Sequence, residues 1–190
     1  MNRVYFDQAA TSYPKAPGVG EAMKYYIENV GANINRGVYS NALTAEEVVL
    51  ETREALCRLF HFKQPQNVIF TLNITQALNM LLKGLLKPND HCIVSSLEHN
   101  AVMRPLLQLS ASGISFTRVK TDSQGFLNPL EIENALQKNT KAVIMTHASN
   151  VCGSVLPLKE VGRICKNHGL IFIVDSAQTA GSLTIDMEDY

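Results

Sequence analysis

The chain has 190 residues, 46% hydrophobic and 18% charged, with 17 Lys and Arg against 17 Asp and Glu. This is the composition of an ordinary globular chain long enough for one substantial core, and its zero formal charge, without basic runs, speaks against nucleic acid or an anionic membrane surface as partner. No stretch reaches membrane-spanning length and Arg3 and Asp7 occupy the start in place of an apolar secretion segment, so a cytoplasmic location is expected.

Taken in chain order, strand and helix signals alternate. A short apolar strand is expected at 4–6, then a polar turn, helical spacing over 20–29 and a Gly/Asn-rich loop at 31–41. Thr44, with Glu47 three residues on, reads as a capping box, and Val48, Leu50, Leu56, Leu59 and Phe60 carry that helix onward. A strand at 68–70 leads into a helix over 75–86, stopped by Pro88. Next come a strand at 92–95, a helix over 100–109 and an alternating strand at 115–119. Asn128-Pro129 opens a short helix to about residue 138. An apolar strand at 142–146 precedes a helix begun by Pro157-Leu158 and stopped at His168-Gly169, and a strand at 170–174 completes the series. Apolar, β-branched strands separated by helices predict an α/β fold: a mostly parallel sheet with helices on both faces.

The four cysteines, at 57, 92, 152 and 165, form no Cys-x-x-Cys pair, and the five histidines show no metal-ligand spacing. No metal is expected. Cys57 and Cys92 fit core positions, and Cys152 is a loop thiol.

Neither a G-x-G-x-x-G turn after a strand nor a G-x-x-x-x-G-K-[ST] loop is present. The best phosphate cradle lies at 71–76, where open N–H groups of a helix's first turn and the Thr75 hydroxyl would meet a dianion. Asn73 or Thr75 could equally cap that helix, and the two roles are compatible. His99 follows one strand end and Asn150 another. Asp175 ends a buried strand, where a carboxylate costs several kcal/mol unless a cation or strong donors meet it. A turn-forming Asp is the plain alternative; a protonated pyridine nitrogen is the functional one. The clusters near 75, 99, 150 and 175 share one edge of the inferred sheet. A phosphate nest, a flat imidazole, an amide and a carboxylate collected there describe a pocket for pyridoxal 5′-phosphate.

Six motifs carry a resemblance across nearly the whole chain, in order and in register. They are residues 5–11 (Tyr-Phe-Asp-Gln-Ala-Ala-Thr), 35–37 (Asn-Arg-Gly), 75–79 (Thr-Gln-Ala-Leu-Asn), 98–100 (Glu-His-Asn), 149–153 (Ser-Asn-Val-Cys-Gly) and 174–178 (Val-Asp-Ser-Ala-Gln). Together they resemble the cysteine desulfurase and selenocysteine lyase group of class V, fold-type I pyridoxal phosphate enzymes, with the SufS-type branch closer than the NifS/IscS-type branch.

The resemblance implies that Asp175 pairs with the ring nitrogen and that His99 stacks on the ring and shuttles protons as the catalytic residue. It implies that Asn150 and Gln178 bond the 3-oxygen, and that Ile74, Thr75 and Gln76 form the phosphate end. Arg36 would hold the substrate carboxylate, and Ala9 belongs to a segment lining the entrance. Residues 1–40 would form that entrance segment and 41–190 the first part of the large cofactor-binding domain. The expected activity removes sulfur or selenium from a cysteine-type amino acid, giving alanine, with aminotransferase, epimerase or a non-catalytic binding module of the same fold as alternatives. A homodimer and a sulfur-acceptor protein are the expected partners.

Some parts of the family pattern are missing. Its Schiff-base lysine follows a Ser/Thr-x-His motif beyond the Asp-x-x-Gln element, and no lysine here stands in such a motif. The persulfide cysteine and the small C-terminal domain also belong to later sequence. Asn73-Ile74 replaces the small residues expected before the phosphate-binding Thr. The chain alone is therefore expected to be inactive, as a fragment, part of a split enzyme or a short relative.

Overall fold

The computed structural model describes residues 4–190, which fall into two compact units, 4–68 and Ile69–Tyr190. In the first unit, α1 (Val19–Tyr25) runs into one wider π-helical turn, Tyr26–Val30. Gly31 closes it in the left-handed region, φ 50°, where its N–H reaches Tyr26 O at 2.8 Å. Helix α2 (Ser40–Leu59) follows, then a single 3₁₀ turn, Pro65–Asn67.

Three expectations fail in and beside this unit. Helix α2 begins at Ser40, so Thr44 and Glu47 lie inside it and form no capping box. The start is earlier because Ala42 and Ala45 are buried and Asn41 Nδ2 bonds Val30 O at 3.0 Å, which rewards helix four residues sooner. Residues 4–6 and 68–70 are not strands. Both runs are short, and Phe6 (95% exposed) and Ile69 (67%) have no layer to pack against among the described residues, so their apolar content did not signal a buried ladder.

The second unit is the expected α/β layer structure. Four strands, β1 (His91–Ser95), β2 (Ser115–Val119), β3 (Thr140–Thr146) and β4 (Ile171–Asp175), pair in parallel in the order β2-β1-β3-β4. Their side chains alternate between two cores. Cys92, Val94, Ala142, Ile144 and Ile173 meet α3 (Ile74–Leu85) and α4 (Asn100–Ser110) through Leu78, Leu82, Val102 and Leu106. Ile93, Val143 and Met145 meet α5 (Pro129–Asn134) and α6 (Leu158–Asn167) through Ile132, Val161 and Cys165. Burial on both sides explains why the strands read as continuous apolar runs.

The strand order matters for function. From β1 the chain moves one way to β2, then crosses back over β1 to β3 and on to β4. Right-handed crossovers travelling in opposite directions must lie on opposite faces, which is why α4 sits on one side and α5 and α6 on the other. The loops leaving β1 and β3 therefore diverge, and a crevice opens beyond their carboxyl ends.

Candidate functional site

Three of the four strands end on a polar residue here, Ser95, Thr146 and Asp175, while β2 ends on Val119. Register pairs Ser95 with Val119 and Thr146 with Asp175, so the four ends are level. Asp175 is 4% exposed. Its Oδ1 accepts Ala177 N–H at 3.0 Å, and its backbone oxygen accepts His147 N–H at 2.8 Å. Asp175 thus forms the turn that the plain reading foresaw and is also a buried carboxylate at the sheet edge. The turn continues through Thr179 and Ala180, whose N–H groups reach Ser176 O at 2.9 Å, and it carries the half-buried Gln178. Thr179 Oγ1 meets His147 Nδ1 at 2.9 Å, and burial lowers the His147 pKa, which keeps that ring a neutral strut.

The phosphate cradle is built as a capped helix start. Asn73 Oδ1 accepts Gln76 N–H at 2.9 Å, while Gln76 Oε1 reaches back to Leu72 N–H at 2.8 Å. The α3 ladder begins only at Ala77 N–H to Asn73 O, 3.2 Å. The first-turn amides of Ile74 and Thr75 precede that ladder and face outward with the exposed Thr75 side chain. Of the two expected roles, Asn73 takes the capping one.

His99 is the N-cap of α4. Its Nδ1 accepts Ala101 N–H at 3.1 Å, which fixes the ring and assigns the proton to Nε2. The exposed ring and Thr75 share one wall of a cleft of about 220 Å³, lined also by Asn79, Asn100, Arg104 and Gln108. Asn150 sits at the tip of the loop after β3. Ser149 Oγ shapes that tip by accepting Val151 N–H at 3.2 Å and Cys152 N–H at 3.4 Å, and Gly153 takes φ 73°. Beside it, hydrogen bonds from Ser149 first and then Ser154 pull the exposed Cys152 thiol down to about 7.

Arg36 and Ala9 lie in the first unit, both exposed. The sequence reading passed over Arg104 and, more importantly, named Glu98 within a motif without giving it a role. Glu98 Oε1 accepts from Ser95 Oγ at 2.5 Å and from Thr146 N–H at 2.9 Å, while Oε2 is enclosed without a hydrogen-bond partner. Its signal was the carboxylate beside His99 at the start of a helix. Its role depends on Thr146, far along the chain.

Among the described residues no group of three or more His, Cys, Asp or Glu is placed to hold a metal ion, and no helix is long and apolar enough to cross a membrane. A buried carboxylate, helix-start amides and a fixed flat ring fit an anionic, nitrogen-containing aromatic group.

The family model for Aminotransferase class-V matches residues 4–190. A probable cysteine desulfurase of Methanothermobacter thermautotrophicus is 34% identical over 187 residues, 98% of this chain and 46% of that protein. Cysteine desulfurase IscS of Dictyoglomus turgidum is 30% identical over 190 residues, 98% and 48%. Among solved structures, the apo cysteine desulfurase of Thermococcus onnurineus NA1 superposes with a TM-score of 0.89 at 29% identity, covering 98% of this chain and 47% of that one. SspA, solved in complex with cysteine, gives 0.91 at 30% identity, 97% and 54%. The chain spans about half the length of the curated relatives it matches.

Proposed function

The chain belongs to the aminotransferase class-V family, and from that membership we propose that it supplies the cofactor site of a pyridoxal 5′-phosphate-dependent cysteine desulfurase. The observation that carries this reading is Asp175, a carboxylate 4% exposed at the end of β4, beside the end of β3 that borders the crevice. When bound, the cofactor supplies an electron sink for carbanion chemistry on an amino acid.

The protein's own residues divide the labour by charge and shape. Asp175 takes the cationic ring nitrogen, offsetting its own burial. The Ile74 and Thr75 amides, with the Thr75 hydroxyl, take the phosphate at the positive end of α3, and Gln76 holds that turn in shape through Leu72. His99 presents a flat face and an Nε2 proton, and serves as the candidate proton carrier. Asn150 and Gln178 are the proposed donors to the 3-oxygen.

Arg36 and Ala9 are retained as candidate substrate contacts on the strength of the family motifs alone. The same motifs support a cysteine-type substrate, with selenocysteine as the variant, and also a homodimer, a sulfur-acceptor partner and a cytoplasmic setting. Relatives at this distance include proteins named IscS, so membership of the SufS-type branch is likewise a proposal. The activity is that of a protein with the full length of the relatives.

The direct test is a pyridoxal phosphate titration of the chain, followed by induced circular dichroism in the cofactor's absorption band. Saturable binding weakened at least about tenfold in Asp175→Asn is expected. Equal binding by the variant overturns the assignment.

A further inference from the structure

Glu98 is adjacent to His99, yet the cofactor reading gives it no task. Its side chain turns inward from the end of β1, and the bonds from Ser95 Oγ and Thr146 N–H fall on Oε1. Oε2 is enclosed and lacks a hydrogen-bond partner. A glutamine would make the same two bonds without burying an acid. What the acid adds is one exchangeable proton, and Oε1 being doubly engaged places it on Oε2.

Among the described residues, the charge that acts on Glu98 is a like one. Thr146, which donates to Glu98, is the strand partner of Asp175, and the Asp175 carboxylate acts on Glu98 electrostatically. The other groups nearby are uncharged or already engaged. From β1 there is Ser95; from β3, Thr146 and the neutral His147 held by Thr179; from the start of α4, His99, whose Nδ1 accepts from Ala101. Burial pushes the Glu98 carboxyl up to about 7, Asp175 pushes it the same way, and the bonds from Ser95 and Thr146 pull it down.

We propose that Glu98 and Asp175 work as a one-proton pair in which Glu98 holds the proton while no cation is present and gives it up when a cationic aromatic ring docks against Asp175. The inference rests on the pyridoxal phosphate reading of the site. The sign follows from burial: Oε2 is already enclosed, so an arriving ring removes little further water from Glu98 and adds mainly attraction for its anion. The O–H bond at Oε2 breaks, the electron pair stays on the carboxylate, and the proton passes to solvent. The added negative charge behind Asp175 then helps hold the ring nitrogen in its protonated form. Glu98 is in this sense a positioning residue that acts through Asp175.

Glu98→Gln retains the Oε1 bonds and cannot release a proton. Calorimetric titration with pyridoxal phosphate at pH 6.5, in two buffers of different ionisation enthalpy, measures protons released on binding. The wild-type chain is expected to release a large fraction of one proton more than Glu98→Gln; equal release overturns the proposal. Binding by neither chain overturns the cofactor reading, and this inference with it. The pair is judged independently by following the Glu98 side-chain carboxyl with ¹³C NMR in the cofactor-free chain. Its midpoint is expected near neutral pH and lower in Asp175→Asn, and a midpoint unmoved by Asp175→Asn overturns the pairing.

Discussion

Glu98 Oε1 receives the backbone N–H of Thr146 at 2.9 Å, joining the end of β1 to the end of β3 where the strand order turns back on itself. A side chain thus ties together the two strands whose following loops carry His99 and Asn150. Burial raises the pKa of that linking carboxyl, so the strength of the tie varies with pH near neutrality.

Glu98 has a folded-state pKa of about 7 against an ordinary 4.5, with burial as the main cause. The unfolded chain therefore ionises first, and stability falls as pH climbs from 4.5 to about 7, then levels off. The lost stability is about 3 kcal/mol at most. Glu98→Gln should equal or trail the wild type at pH 4.5 and gain on it by about 2 kcal/mol at pH 8. Urea unfolding at both pH values measures the difference. A gap independent of pH would contradict a buried, protonated acid.

His99 has a structural task separable from its proposed chemical one. His99→Ala removes the acceptor for Ala101 N–H and should cost about 1 kcal/mol. His99→Asn keeps a capping acceptor and should recover most of that loss. Both should lower pyridoxal phosphate affinity alike, because neither retains the flat ring. Thermal unfolding, paired with cofactor titration of the two variants, separates cap from stack.

Cys152 should be the first thiol to react. It is exposed with its pKa pulled to about 7, whereas burial pushes Cys92 and Cys165 up to about 12 and Cys57 is buried. At pH 7.5, iodoacetamide should label Cys152 at least about tenfold faster than the other three. Ser149→Ala removes the largest stabilising bond and should slow the labelling. Peptide mass spectrometry reads both results.

The sheet between the two cores should be intolerant of truncation. Ile144 is fully buried in the centre of β3, packed with the α3 and α4 side. Ile144→Ala should cost about 3–4 kcal/mol, against less than about 1 for exposed Lys141→Ala on the same strand. Denaturant midpoints provide the comparison.

Much of this architecture is legible without coordinates, for identifiable reasons. Cys92 to Ser95, Ala142 to Thr146 and Ile171 to Val174 are apolar runs bounded by helix signals, and each forms a strand within a residue or two of the expected place. The helix starts at Asn128 and Asn73 follow from side chains that accept from their own first turn. What failed depended on distant partners. Phe6 and Ile69 are apolar but find no ladder among the described residues, and Thr44 could not reveal that Ala42, two residues earlier, is buried. Glu98 was given no role because its meaning lies in Thr146 and in the order of strands, which local pattern does not encode. Asp175, His99 and the Ile74–Thr75 turn could be singled out because each lies at a strand end or helix start that local pattern marks.

The fork between the β1 and β3 loops also separates two kinds of evolutionary freedom. Val94 and Ile144, paired in the ladder just below, belong to the packed interior, while Asn150 and Cys152 project from a turn that leaves that interior untouched. Replacements at the exposed tip should therefore disturb the fold far less than replacements in the ladder beneath it, so the turn can vary while the backbone under it stays fixed.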